Sequence, residues 1–126
     1  MTSISFVIPV FNKEKYLKFV LDSLKNQKGI FKREFIFIDD GSTDNSLSFL
    51  RSQTKNWKNT QIITQNNKGS AAATNVGIKL AKNKYIKFLD ADDLILYDTT
   101  NSLLKIIEKE KNINLVYGLQ RKVKDF

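Results

Sequence analysis

The feature that most constrains the fold of this chain is a regular alternation between apolar runs and segments with the apolar period of a helix. Five runs rich in β-branched and aromatic residues are predicted strands, at residues 4–10, 34–39, 60–64, 84–89 and 113–117. Four helical segments separate them. Because strand–helix–strand series with short connections are built from right-handed crossovers, the sequence predicts an α/β fold with a doubly wound, mostly parallel open sheet.

The clearest of the predicted helices spans residues 13–27, where apolar side chains recur at i, i+3, i+4 and i+7. The others are predicted around residues 47–50, 73–80 and 100–111, each after a segment of small polar residues. Pro9 is expected to end the first strand, because proline cannot donate to the hydrogen-bond ladder of a sheet.

The composition limits both the number of domains and the chemistry. The chain has 126 residues, of which 41% are hydrophobic, enough for one core but not comfortably for two. We therefore expect residues 1–126 to form one domain. The sequence has neither Cys nor His, which excludes a disulfide framework, a thiolate nucleophile and an imidazole base or metal ligand. Any acid, base or metal chemistry must therefore use carboxylates.

The charge and hydropathy patterns bear on location and partners. No apolar run approaches the ~18 residues of a membrane span, and residues 1–6 lack the pattern of a signal peptide, so we expect a cytoplasmic location. The net charge is +8, but the lysines are spread singly along amphipathic segments, which favours a solvated face over a groove for nucleic acid. The lysine-rich segment 13–28 suggests a peripheral contact with an anionic membrane.

Acidic and amide side chains follow three of the predicted strands, at the edge where parallel sheets bind ligands. These residues are Asn12, Asp39, Asp40, Asp90, Asp92 and Asp93. Carboxylates at short separation repel one another unless a positive charge lies between them. Asp90 and Asp92 offer the hard oxygen ligands that Mg²⁺ and Mn²⁺ prefer, and such an ion takes its remaining ligands from water and a phosphate-bearing substrate.

Each of these acidic residues also has a simpler interpretation, because an Asp after a strand is often only a turn former or a helix cap. That interpretation suffices for Asp44, but not for the doublet at Asp39 and Asp40 or for the three acids within residues 90–93. Residues 67–69 are either a plain turn with a solvated lysine or a set of backbone amides that meets a diphosphate at a helix N-terminus.

In this order and spacing, the segments resemble the inverting family 2 glycosyltransferases of the GT-A fold, a Rossmann-like fold of nucleotide-diphospho-sugar transferases. The resemblance extends from Ser3 to about Gly118. The segments that carry it are residues 5–12, 37–44, 67–69, 75–77 and 85–93. Each motif alone has moderate specificity, whereas the five motifs in register are a specific signal.

The resemblance implies a nucleotide-sugar donor, most often a uridine diphosphate sugar. By the positions of the matching motifs, the resemblance implies that the backbone of Pro9 and the carboxylate of Asp40 contact the base. Asp90 is implied to contact the ribose. Asp92 is implied to hold Mg²⁺ or Mn²⁺ on the diphosphate, and Asp90, which lies beside it, is expected to be a second metal ligand. The other residues expected at the nucleotide-sugar site belong to the same motifs and are Asn12, Asn67 and Gly69.

The implied reaction is attack of an acceptor hydroxyl on the anomeric carbon, with inversion and departure of the diphosphate, in the synthesis of a bacterial cell-surface polysaccharide or glycolipid. The acceptor is a saccharide or a lipid-linked sugar. In the family the base is an acidic residue in the second half of the domain, so we expect it beyond Phe126 and the chain to be a truncated donor part. Thr74 stands where the family commonly has Arg.

Two other interpretations remain open at this point. An apolar strand that ends in Asp90 and Asp92 also resembles the nucleophile motif of a haloacid-dehalogenase-type phosphatase, although that motif normally lies on the first strand. Alternatively, the chain is a nucleotide-binding part that binds without turnover. A dinucleotide oxidoreductase is disfavoured, because no Gly-x-Gly-x-x-Gly follows the first strand.

Overall fold

A parallel sheet flanked by helices is the framework of the protein in a computed structural model that describes residues 1–124. The strands are β1 (Ser3–Val10), β2 (Lys32–Asp39), β3 (Thr60–Thr64) and β4 (Tyr85–Phe88). The helices are α1 (Glu14–Lys25), α2 (Ser46–Thr54), α3 (Ser70–Leu80) and α4 (Thr99–Lys109). None of the helices in residues 1–124 is long and apolar enough to cross a membrane.

The order of the strands is β3-β2-β1-β4, and all three pairs of neighbours are parallel. The connections through α1 and α2 step outward from β1 to β3, and the connection through α3 returns to the other side of β1. This reversal makes a doubly wound sheet, so the predicted fold class is confirmed. The ligand site of such a sheet usually lies where the strand order reverses, which here is between the carboxyl ends of β1 and β4.

The larger hydrophobic core lies on one face of the sheet, where α1, α2 and α4 pack. Phe6 of β1 and Phe37 of β2 are completely buried there. Leu50 of α2 and Leu104 of α4 join the same cluster. The buried residues of α1 are those with the predicted helical spacing, namely Leu17, Val20, Leu21 and Leu24. Hydrophobic periodicity therefore identified the inward face of α1 correctly.

Helix α3 packs on the other face of the sheet and approaches it very closely. The second core cluster consists of Val7, Ile36 and Ile38 from the strands with Ala73 from α3. A Cβ atom built on Gly77 of α3 would lie 2.3 Å from Cγ1 of Val7 and 2.9 Å from Cδ1 of Ile38. Only a residue without a side chain permits this separation, so Gly77 sets the distance between α3 and the sheet.

The first strand ends at Val10 as predicted, but Pro9 lies inside it, so the expectation that Pro9 itself ends the strand is wrong. The carbonyl of Val7 accepts a hydrogen bond from the segment after β4, and the carbonyl of Val10 accepts one from the residue after β2. Backbone groups alternate between the two edges of a strand, so Pro9 faces β4. Strand β4 ends at Phe88, opposite Val7. The missing N–H of Pro9 therefore breaks no ladder, and β1 continues against β2 alone.

The predicted fifth strand at residues 113–117 is also wrong. After α4 the chain runs to residue 124 without helix or strand. The alternate apolar residues of this segment are exposed, Ile113 at 37%, Leu115 at 76% and Tyr117 at 83%. Their alternation is that of a strand, but a strand also needs a neighbour, and no strand within residues 1–124 pairs with this segment.

Candidate functional site

Four loops follow the carboxyl ends of the strands, at residues 11–13, 40–45, 65–69 and 89–98. Because the strands are parallel, all four loops lie at one edge of the sheet, as predicted from the positions of the acidic residues. The loop after β1 is central, since β1 lies between β2 and β4. It makes polar contacts with the loops on both sides, and these contacts organise the site.

The loop after β4 carries a compact group of three carboxylates, which we call the acidic cluster. One carboxylate oxygen from each of Asp90, Asp92 and Asp93 lies within 4.8 Å of the other two. Burial, followed by the charges of Asp92 and Asp90, raises the pKa of Asp93 above its ordinary value. The cluster therefore has an excess of negative charge, and its oxygen atoms suit a hard divalent cation.

Lys13 places a positive charge against the acidic cluster. Its ammonium nitrogen lies 2.7 Å from Oδ2 of Asp92. Lys13 is the N-cap residue of α1, and its amide donates to Oγ of Ser46 at 2.8 Å. The backbone that carries the ammonium is thus held by the first turns of α1 and α2. The ion pair joins the loop after β1 to the loop after β4.

Asn12 joins the loop after β1 to the loop after β2. Its Oδ1 accepts hydrogen bonds from the amides of Thr43 at 2.8 Å and Asp44 at 3.2 Å. The amide of Asn12 itself donates to Oγ of Ser42 at 3.0 Å. Asn12 has a φ of +50°, a left-handed conformation that asparagine tolerates better than most residues. The side-chain carbonyl of this predicted site residue is therefore engaged in shaping the neighbouring loop.

Asp40 joins the loop after β2 to the loop after β3 and is only 2% exposed. Its Oδ1 accepts from the side chain of Gln65 and the amide of Lys68, each at 2.8 Å, and its Oδ2 accepts from the amide of Gly69 at 2.9 Å. Burial by itself would raise the pKa of Asp40, but these hydrogen bonds and the charge of Lys68 together lower it below its ordinary value. Asp40 is thus an ionised anchor for the turn that precedes α3.

Replacing Asp40 with Asn is expected to lower the free energy of unfolding at pH 7 by about 2 kcal/mol, because the amides of Lys68 and Gly69 lose a charged acceptor. Urea unfolding followed by the fluorescence of Trp57, the single tryptophan, measures this change. Asp22→Asn is the matched control, since Asp22 is exposed on α1. A loss no larger than that of the control would contradict the anchoring role.

The difference in stability between the wild type and the Asp40→Asn protein should depend on pH in a definite direction. The folded-state pKa of Asp40 is lowered, so its stabilising effect is fully present above the unfolded-state value of about 3.9 and is lost as the pH falls through the folded-state pKa. The Asp40→Asn protein and the wild type therefore converge in stability below about pH 4. An unchanged difference at pH 3 would show that the charge is not responsible.

The turn at residues 67–69 contacts the loop after β2 instead of presenting all its amides outward. The amides of Lys68 and Gly69 donate to Asp40, so these two groups do not face a diphosphate as one of our interpretations required. Asn67 is exposed, and its amide nitrogen lies 2.9 Å from the point where a Cβ on Gly41 would sit. The glycine in the loop after β2 therefore allows the two loops to touch.

Asp39 is a second buried acid at the same edge, 2% exposed. Its Oδ2 accepts from the amide of Ser42 at 3.2 Å, whereas its Oδ1 has no hydrogen-bond partner among residues 1–124. A buried carboxylate oxygen is costly in free energy unless a donor reaches it.

Pro9, which we expected near the base, is half-buried in the adjacent strand, opposite Ile38.

Lys13 and Gln65 are the residues at this edge that sequence analysis missed. Lys13 is one of 21 lysines and arginines, and its spacing does not distinguish it from the other lysines near α1. The available signal was its position directly after Asn12, beyond a buried strand. Gln65 follows a short strand with a weak pattern, so nothing local connects it to Asp40.

A doubly wound sheet with carboxylates where its strand order reverses is an arrangement of nucleotide-binding α/β domains. The chain belongs to glycosyl transferase family 2, whose family model matches residues 5–125. It is 45% identical over 95 residues to the poly(ribitol-phosphate) beta-glucosyltransferase of Bacillus spizizenii, which covers 73% of this chain and 15% of that protein. The chain spans less than half the length of the curated relatives it matches.

Two solved structures share the fold. TarS 1–349 of S. aureus in complex with UDP matches with a TM-score of 0.76 and 30% identity, over 86% of this chain and 32% of that chain. The mannosyltransferase PcManGT from Pyrobaculum calidifontis, in complex with GDP-Man and Mn²⁺, matches with a TM-score of 0.75 over 81% of this chain and 31% of that chain. At 23% identity the second likeness concerns the fold alone. These matches confirm the predicted GT-A fold.

The family match also bears on the phosphatase interpretation. A family 2 match over residues 5–125 argues against a haloacid-dehalogenase-type enzyme. The topology agrees, because Asp90 and Asp92 follow β4, whereas the phosphatase motif normally lies on the first strand.

Proposed function

We propose that this chain carries the donor site of a metal-dependent, inverting glycosyltransferase that moves a sugar from a UDP-linked donor to an acceptor hydroxyl. The observation that carries the proposal is the acidic cluster, whose three oxygens lie within 4.8 Å of one another beside a cation, where the strand order of a family 2 sheet reverses. The UDP complex of TarS, which is 30% identical, supports a uridine nucleotide as the donor.

Asp92 and Asp90 are the residues that hold the divalent ion, Mg²⁺ or Mn²⁺, in this proposal. The cluster fits such an ion in two respects: its donors are carboxylate oxygens, and its excess negative charge already attracts the ammonium of Lys13. A bound ion would neutralise the charge that builds on the departing diphosphate. The loop after β4 therefore forms the diphosphate end of the proposed site.

The loops after β1, β2 and β3 form the nucleoside end. Asp40 accepts three hydrogen bonds from the protein, and a carboxylate has about four acceptor positions, so one position remains for the N3–H of uracil. The other residues that we assign to this end, on their motifs, are Pro9, Asn12, Asn67 and Gly69.

The acceptor in this proposal is a saccharide or lipid-linked sugar of a bacterial cell-surface polysaccharide or glycolipid, and residues 1–126 supply the donor part. Transfer also needs an acidic base, which is not among the residues assigned here. Exposed lysines on α1, such as Lys15 and Lys18, support a peripheral contact with an anionic membrane on its cytoplasmic side.

Calorimetric titration of the chain with UDP, with Mn²⁺ or with EDTA, tests the donor site. We expect Mn²⁺ to strengthen UDP binding at least about tenfold, because an ion held by Asp90 and Asp92 would neutralise the charge of the diphosphate. UMP, which lacks the second phosphate, should show much less dependence on the metal, and GDP should bind more weakly than UDP. The absence of UDP binding, or binding indifferent to EDTA, would refute the proposal.

Turnover distinguishes the transferase from a domain that only binds the nucleotide. Release of UDP from a UDP-sugar in the presence of Mn²⁺ would support a working transferase domain, and binding without any release would favour a non-catalytic nucleotide-binding part. A generic aryl phosphate is the control substrate, and we expect no hydrolysis of it.

A further inference from the structure

We propose that Lys13 is an intramolecular competitor of the divalent ion: its ammonium holds Asp92 when no ion is bound and has to leave before the ion can bind. This inference rests on the proposed metal role of Asp92. It assigns to a single lysine a control over metal affinity, in addition to the roles of the carboxylates.

The pairing of Lys13 with Asp92 is specific. The two side chains are 32% and 40% exposed, and the nitrogen and Oδ2 lie 2.7 Å apart. This is the one ion pair closer than 4.0 Å among residues 1–124, although the chain has 21 lysines and arginines and 13 acidic residues. A general excess of lysine therefore does not account for the contact.

The backbone delivers the ammonium to this position. The amide of Lys13 donates to Ser46, and the carbonyl of Lys13 accepts from the amides of Tyr16 and Leu17 in the first turn of α1. The preceding residue, Asn12, is tied to the loop after β2. With Asn12 and its own peptide groups held, the backbone of Lys13 loses little further conformational entropy when the ammonium reaches Asp92.

Electrostatics makes the two cations exclusive at Asp92. A divalent ion on this carboxylate and an ammonium hydrogen-bonded to the same group would lie only a few ångströms apart and repel strongly. The ammonium must therefore swing away, and the apparent affinity for the ion is reduced by the stability of the Lys13 to Asp92 pair. Because the pair is partly exposed, the reduction is moderate, about twofold to fivefold.

The experiment measures Mn²⁺ binding to the chain in the absence of nucleotide, by electron paramagnetic resonance of the free ion or by calorimetry. We expect Lys13→Met to bind Mn²⁺ about twofold to fivefold more tightly than the wild type. Lys13→Arg, which keeps the cation, should stay close to the wild type. Lys15→Met is the matched control, since it removes an exposed charge two residues away that makes no ion pair within 4.0 Å to any of residues 1–124.

The outcomes separate this inference from the proposed function. Equal or weaker Mn²⁺ binding by Lys13→Met, with Mn²⁺-dependent UDP binding intact, overturns the role of Lys13 and leaves the donor site standing. A gain as large in Lys15→Met shows that net charge is responsible and also overturns it. If neither the wild type nor Lys13→Met binds Mn²⁺, both the inference and the proposed metal site fall. Thermal unfolding of each variant verifies that the fold is retained.

Discussion

Replacing Asp92 with Ala is expected to remove most of the gain in UDP affinity that Mn²⁺ gives, a loss of at least about tenfold, since even residues that only support a metal ligand commonly cost 10- to 100-fold. Asp92 contributes an oxygen to the acidic cluster and is the carboxylate that Lys13 already contacts. Its loss leaves two carboxylates and releases the ammonium. Calorimetry with UDP and saturating Mn²⁺ measures the effect, and the same titration in EDTA isolates the part that depends on the metal.

The titration in EDTA makes this prediction sharper. Without a metal, Asp92→Ala should bind UDP no more weakly than the wild type, because a negative charge has been removed and the ammonium of Lys13 has been freed near a diphosphate. Asp22→Asn, on the exposed side of α1, is expected to behave as the wild type in both titrations. If Asp92→Ala bound UDP normally with Mn²⁺, the metal role of this residue would be excluded.

Replacing Gly77 with Ala is expected to lower the free energy of unfolding by about 2 to 3 kcal/mol through overpacking. The added Cβ would lie 2.3 Å from Val7, a stiff β-branched side chain on a central strand, and Ile38 is also in the way. Helix propensity alone would predict the opposite sign, a gain of up to about 1 kcal/mol. Urea unfolding followed by Trp57 fluorescence determines which effect is larger.

A double mutant tests whether the contact with Val7 causes the loss. Val7→Ala removes the atom that the new Cβ would meet, so Gly77→Ala should cost about 1 to 2 kcal/mol less in a Val7→Ala background than in the wild type. Equal costs in both backgrounds would place the strain elsewhere. A stabilised Gly77→Ala protein would mean that α3 lies farther from the sheet than described here.

Local sequence patterns predicted four strands and four helices that the structure contains. The strand at residues 60–64 has the predicted bounds, and the buried side of α1 follows from the spacing of its leucines. The two failures have a common physical cause, which is that strand formation depends on the neighbouring strand. Pro9 is tolerated because β4 ends beside it, and residues 113–117 are not a strand because none of the described strands pairs with them.

In the candidate site, groups that are close in sequence were predicted, whereas contacts between distant residues were not. The acidic cluster lies within four consecutive residues, so its members were found together from the sequence. The ion pair of Lys13 with Asp92 joins residues 79 positions apart, and Asp40 accepts from Gln65 across 25 positions. Such contacts arise only when the crossovers bring strand ends side by side, and no local pattern encodes them.

The adjacent residues Asn12 and Lys13 have a mechanical consequence for the choice of ligand. One side chain holds the loop after β2, and the next holds the loop after β4. Because Asn12 and Lys13 are adjacent in the chain, the loops after β2 and β4 cannot move independently while both contacts are formed. In the metal-free protein the two loops are held at a set separation, which a ligand that displaces the ammonium from Asp92 can change.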